Sequence, residues 1–147
     1  MQDSRHNARI LALQQLFERY FHKQNLAEVE DKSQLFPINK ILEEDEIKDY
    51  DKSLFRQIIE AMPVNELQID EIIEILAPEW PIDKIATMDL QILRIAILEG
   101  FILNITPEKV AIDEAIELTK EFSNDQSRKF ISGVLGNLIE NKSKYIK

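Results

Sequence analysis

The residue types that usually carry catalysis or hold metal ions are scarce and poorly spaced in this chain. His6 and His22 are the only histidines, and cysteine is absent. Asp113 and Glu117 lie four residues apart on one predicted helix face, but no histidine or second carboxylate helix of that pattern accompanies them. The sequence contains no glycine-rich phosphate loop, nucleophile elbow or His-Glu-x-x-His motif. We therefore expect no enzymatic activity, no metal site and no cofactor.

Two short patterns instead favour binding to nucleic acid. Arg5 and Arg9 are four residues apart, so in a helix both guanidinium groups project from one face and can reach adjacent phosphates. Lys129 precedes Phe130, which places a cation beside an aromatic ring, as single-stranded RNA sites do for phosphate contact and base stacking. Taken alone, these patterns more often mean ordinary surface arginines and a core phenylalanine than RNA contacts.

The charge of the chain is unevenly distributed. The net charge of −9 argues at first against a nucleic-acid partner, because phosphates repel an acidic surface. Residues 1–26 and 120–147 are nevertheless both net positive, and the excess acid lies between them, most densely in Glu43–Asp51. A fold that brings the two ends together would therefore form a basic patch on an acidic protein.

The positioning of these residues depends on the helices that the apolar pattern predicts. Helical periodicity recurs along the chain and strand alternation is nowhere sustained, so we expect an all-α fold. A length of 147 residues with 44% hydrophobic content predicts one compact domain over 1–147, a bundle of about seven helices. No run approaches the roughly 18 apolar residues of a membrane span, and the first residues lack an apolar signal core, so we expect a cytoplasmic protein without a membrane partner.

Individual helix boundaries follow from prolines and capping residues. The first helix runs over about 4–23, and the segment 25–41 is expected to form mainly a loop. Pro63 should end a second helix, because proline donates no helical hydrogen bond, and a third should stop before Pro78. Thr87 and Thr106 are the expected caps of two later helices, and close helix packing is expected at Gly133.

The last third of the chain resembles the NusB family of transcription antitermination factors. The resemblance rests on ITPEKVAIDEAIELTKEFSNDQSRKFISGVLGNLI, residues 105–139, which follows the apolar helix QILRIAILEGFIL. It extends back to Asp83 and, more weakly, to Arg5. It implies an all-helical fold that joins the ribosomal protein acting as NusE on a single-stranded boxA-type element of nascent ribosomal transcripts, within an RNA polymerase antitermination complex.

The resemblance also assigns residues to the RNA-binding surface. The arginine-rich start of the family falls on residues 5–9, where only Arg5 and Arg9 are arginines. The serine, lysine and phenylalanine of the family's RNA-binding face fall on Ser127, Lys129 and Phe130. These five residues are the expected RNA contacts.

The NusE partner surface falls on two residues by the same resemblance. The aromatic residue of the first helix is Phe17, and the acidic residue before the ILR motif is Asp89. Both match the chemistry that the family has at these positions. We therefore expect Phe17 and Asp89 to bind the partner.

Several positions depart from the family pattern. His6 and Asn7 stand where arginines would be, Asp113 and Ser132 replace asparagines, and Gly136 replaces an acid. A lost phosphate contact lowers both the affinity and its salt dependence. We therefore expect weaker or more partner-dependent RNA binding than in an arginine-rich relative.

Two other functions stay open on the sequence. The chain could be a NusB-like protein-interaction module that has lost useful RNA affinity. It could also be an accessory to an RNA cytosine methyltransferase, whose amino-terminal part has the same fold, although this chain lacks a catalytic domain. Some relatives pair into homodimers through the RNA-binding face, and the sequence leaves both monomer and homodimer open.

Overall fold

The computed structural model describes residues 3–25 and 49–146, and this part of the chain is helical without strands. It contains five α-helices: α1 (Ser4–Asn25), α2 (Lys52–Leu76), α3 (Thr87–Ile97), α4 (Glu108–Phe122) and α5 (Asp125–Tyr145). A 3₁₀ turn, Ile82–Lys84, precedes α3, and a π-helical turn, Leu98–Ile102, follows it. The all-α prediction is confirmed, with five α-helices in these residues rather than about seven.

The smaller helix number comes mainly from Pro63. The sequence predicts a helix end there, but α2 continues through the proline. Met62 is buried before it and Ile69 and Ile73 are buried after it, so apolar contacts offset the hydrogen bond that proline cannot donate. The segment after Pro81 forms only the 3₁₀ turn, and most of the predicted loop over 25–41 lies outside the described residues.

The chain divides into two compact units, Met1–Ile59 and Glu60–Lys147. The single domain over 1–147 therefore stays a prediction. In the first unit, α1 buries an apolar stripe that includes Ile10, Leu13 and Phe17. The Asn7 side-chain amide donates to the Asp49 carbonyl at 2.9 Å, and the Asp51 N–H donates to the Ser4 carbonyl at 2.9 Å.

The second unit is built around α3. Every residue from Met88 to Ile97 is buried, as predicted for a helix with almost no polar face. α4 and α5 pack against α3 and against each other. The residues of α5 that face inward are Ile131, Val134, Leu135 and Leu138.

One buried charge cluster joins α2 to α3. The Arg94 side chain is only 3% exposed, and its Nε and Nη2 donate to the two oxygens of Asp70 at 2.9 and 2.7 Å. Its Nη1 lies 2.9 Å from Glu66 Oε1. The guanidinium therefore receives the paired, bidentate contacts that a buried arginine needs.

The π-helical turn brings α3 close to α4. A Cβ built on Gly100 would lie 2.9 Å from the Cβ of Ala111, so only glycine fits without displacement. Gly133, where the sequence predicts close packing, has no heavy atom within 4 Å of such a Cβ. The close approach therefore occurs at Gly100, and the expectation at Gly133 was wrong.

Neither predicted threonine cap forms. Ala86 and Pro107 occupy the cap positions, and neither makes a side-chain capping bond. Thr106 is buried, and its hydroxyl donates instead to Glu99 Oε1 at 2.8 Å. This threonine therefore satisfies a buried carboxylate rather than the end of α4.

Candidate nucleic-acid interface

An aromatic pair marks the surface of the second unit. Trp80 lies in the short segment after α2, and Phe130 lies in the second turn of α5. Their ring centroids are 6.3 Å apart with an interplanar angle of 70°, an edge-to-face arrangement. Trp80 is 51% exposed and Phe130 is half-buried, so the pair presents aromatic surface to solvent.

The local sequence explains why Trp80 is presented in this way. Pro78 and Pro81 flank it, and proline both fixes its own φ and prevents α2 from continuing. The Trp80 N–H donates to the Ala77 carbonyl at 3.0 Å, which closes a turn directly after the helix. The backbone beneath the indole is therefore constrained before any ligand arrives.

Two open pockets adjoin this aromatic pair, and each includes one lysine. The first has a volume of about 450 Å³ and is lined by Lys84 together with Trp80 and Phe130. The second has a volume of about 330 Å³ and is lined by Lys129 with the same two rings. Aromatic surface flanked by cations suits the stacked bases and phosphates of a single strand.

A buried hydrogen-bond network forms part of the first pocket. Asp89, on α3, is 6% exposed, and its two oxygens accept hydrogen bonds from Ser123 Oγ at 3.0 Å and Ser127 Oγ at 2.6 Å. Asn124 caps α5 by accepting from the Ser127 N–H at 2.8 Å. These bonds fix the start of α5, and with it the position of Phe130, against α3.

This network joins residues that the sequence assigns to two different surfaces. Ser127 is a predicted RNA contact and Asp89 a predicted partner contact, yet each is buried and directly bonded to the other. Their side chains therefore organise the surface from beneath. Lys129, by contrast, is exposed and available to a phosphate.

The predicted residues of the first unit differ in their exposure. The Arg5 side chain is 43% exposed, and its Nη1 lies 3.4 Å from Asp51 Oδ2. Arg9 is only 2% exposed, so its guanidinium does not project to solvent beside that of Arg5. Phe17 is also buried, with its ring centroid 6.0 Å from that of Phe21. The four-residue spacing of Arg5 and Arg9 thus predicted a common helix face but did not indicate that part of this face is buried.

Trp80 and Lys84 line the aromatic surface but are absent from the residues predicted to bind RNA. Trp80 is 51% exposed, so it does not act as a buried packing anchor at the end of α2. The available signal was the placement of a large aromatic residue between two prolines, in a segment too short to bury it on both faces.

The carboxylates considered for chemistry do not assemble into a centre. Asp113 and Glu117 are exposed, and Glu117 lies 3.4 Å from Lys120 Nζ. Within residues 3–25 and 49–146, no three His, Asp or Glu side chains are grouped so that they could hold a metal ion. No helix in the same ranges is long and apolar enough to cross a membrane.

Sequence relatives and solved structures share this fold. A transcription antitermination protein NusB of Listeria innocua is 36% identical over 91% of this chain and 94% of its own length. The same-named protein of Lactiplantibacillus plantarum is 44% identical, over 58% of this chain and 63% of its own length.

Among solved structures, NusB from T. maritima covers 99% of both chains with a TM-score of 0.71 and 28% identity. A NusB in the complex of antitermination factors NusB and NusE with dsRNA shares the fold at a TM-score of 0.69 and 22% identity, covering 95% of this chain and 98% of that one. The model of the NusB family matches residues 6–140. This chain therefore belongs to the NusB family.

Proposed function

We propose that this chain is a transcription antitermination factor that binds boxA-type single-stranded RNA in nascent ribosomal transcripts together with the ribosomal protein acting as NusE. It acts as a non-catalytic adaptor to RNA polymerase, in the cytoplasm where transcripts are made. Family membership and relatives that are named transcription antitermination proteins support this function. A NusB of the same fold occurs in a complex with NusE and dsRNA.

The observation that carries the RNA-binding part is the exposed Lys129 beside the half-buried Phe130 on α5. Lys129 supplies a phosphate contact and Phe130 an aromatic surface for a base. Arg5, in the first unit, keeps 43% of its side chain exposed and is a separate candidate phosphate contact. Ser127 supports the surface around Lys129 from beneath through its bond to Asp89. Arg9 is buried within the first unit.

The partner-binding part of the proposal assigns NusE contacts separately to the surroundings of Phe17 in the first unit and of Asp89 in the second. Both side chains are buried, so they contribute to the partner surface through the residues packed around them. Because Asp89 is bonded to Ser127, a partner that contacts this region would also stabilise the start of α5. That arrangement favours tighter RNA binding when the partner is present.

The test is fluorescence anisotropy of a labelled boxA-type RNA, titrated with this protein alone and with the NusE protein, at low and high salt. Lys129→Ala should weaken binding and reduce the salt slope by about 0.7, the contribution of one phosphate contact on a single strand. Lys144→Ala, which removes an exposed lysine from the far end of the same helix, is the matched control.

The alternative is a protein-interaction module that has lost RNA affinity. The ion pair between Arg5 and Asp51 and the burial of Arg9 favour it, because both reduce the positive charge offered to phosphate. RNA binding in neither condition, with normal association of the NusE protein, would establish this alternative and exclude the RNA-binding role.

A further inference from the structure

We infer that the pocket beside Trp80 holds one unstacked base of the RNA, with the Trp80 indole as its stacking platform. This inference rests on the proposed RNA-binding function and adds a base-binding site to it. It assigns a direct role to Trp80 and Lys84, two residues outside the sequence-predicted RNA contacts. The occupant is a nucleobase of a single strand rather than a base pair.

The first argument is the exposure of a large aromatic ring on a constrained backbone. Trp80 leaves 51% of its surface in solvent, whereas aromatic residues of this size are highly buried on average. Its edge-to-face contact with Phe130 fixes the angle between the two rings at 70°. Since the turn to Ala77 already orders its backbone, stacking a base on the indole costs little additional conformational entropy.

The second argument is the shape and polarity of the pocket. Its volume of about 450 Å³ lies within the range of roughly 300–1,000 Å³ typical of small-ligand sites, which is ample for one base. Asn124 and Gln126 line it, and amide side chains both donate and accept hydrogen bonds at base edges. The two rings supply apolar faces, so the pocket combines stacking surface with polar groups at its rim.

The third argument is the arrangement of charge. Lys84 lines this pocket, and Lys129 lines the neighbouring pocket that shares Trp80 and Phe130. A base inserted beside the indole has a phosphate on each side, and the lysines offer a cation to each. Asp89, the acidic residue lining the first pocket, is buried, and its two oxygens face the hydroxyls of Ser123 and Ser127.

The direct test measures the fluorescence of Trp80, because Trp80 is the only tryptophan. Titration with unlabelled boxA-type RNA should quench its fluorescence, with the same midpoint as the anisotropy change of the labelled RNA. In parallel, a series of RNAs that each lack one base should contain one position at which wild-type binding weakens roughly 5- to 150-fold, the range for one base stacked on an aromatic ring.

Variants then connect that base to the indole. Trp80→Ala should weaken binding of the intact RNA by a similar factor, and removal of the critical base should cause no further loss in this variant. Trp80→Phe, which keeps an aromatic face, should retain most of the affinity. Leu67→Ala is the control, since Leu67 is an 80% exposed apolar residue that lines neither pocket. The circular dichroism spectrum of each variant is compared with that of the wild type to check that the variant is folded.

The outcomes separate this inference from the function on which it rests. If Trp80→Ala binds RNA as wild type does while Lys129→Ala still weakens binding, the base pocket is wrong and the RNA-binding function stands. If the wild type binds no RNA with or without the NusE protein, both are wrong. If removal of each base in turn weakens RNA binding by the same factor in wild type and in Trp80→Ala, stacking on this indole is excluded.

Discussion

Removal of the hydrogen bond between Ser127 and Asp89 should destabilise the fold by an amount that can be worked out from its geometry. The Oγ–Oδ2 distance is 2.6 Å, and the two residues are 8% and 6% exposed. Hydrogen bonds to charged groups contribute about 1.5–3 kcal/mol. Ser127→Ala should therefore lower the free energy of unfolding by about 1.5–3 kcal/mol and Tm by roughly 3–12 °C for a chain of this length.

The assay is urea unfolding followed by circular dichroism, and the midpoint should fall while the slope stays unchanged. Asp89→Ala removes the acceptor, so Ser127→Ala should cost less in that background than in wild type, with a coupling of about 1–2 kcal/mol. Ser132→Ala is the matched control on the same helix, because the Ser132 side chain is half-buried and forms no hydrogen bond in the described residues.

Two results would refute this reasoning. A loss for Ser127→Ala no larger than that for Ser132→Ala, within about 0.5 kcal/mol, would mean that the bond contributes nothing net. Full additivity of the Ser127 and Asp89 variants would mean that their effects arise from independent contacts. In either case the start of α5 would be held by contacts other than the bond between Ser127 and Asp89.

Three further changes test other parts of the fold by the same unfolding measurement. Arg94→Met should destabilise by about 3 kcal/mol, because it leaves two carboxylates facing each other without their cation; an unchanged midpoint would show that the cluster is already solvated. Gly100→Ala should cost about 1–3 kcal/mol through its collision with Ala111, and a neutral result would mean that the π-helical turn yields easily. Pro63→Ala should stabilise by up to about 3 kcal/mol, since Pro63 is exposed within a continuous helix; a loss of stability would contradict that account.

The sequence predicted the helical class and most helix ends because both follow from local patterns. The stripe of α1 and the fully buried α3 are direct readings of apolar spacing. Pro63 was misread because the rule for proline is local, whereas the continuation of α2 depends on burial on both sides of it. Tertiary contacts therefore outweigh the local cost of placing a proline inside α2.

The candidate site was less predictable, because its organisation depends on contacts between distant residues. Asp89 and Ser127 are 38 positions apart, and no local rule indicates that they share a hydrogen bond. The Arg5 and Arg9 spacing fixes a helix face but not how much of it is covered. The exposure of Trp80 likewise depends on what surrounds a short turn, and the flanking prolines indicate the turn but not what covers it.

The contact between Gly100 and Ala111 also limits the order in which the sequence can change over time. With the built Cβ only 2.9 Å from the Ala111 Cβ, a methyl group at position 100 costs less stability after position 111 has become glycine than before. Evolutionary paths through this pair are therefore directional, and the effect of either change depends on the other. Lineages that carry a side chain at position 100 should be those that first lost the one at position 111.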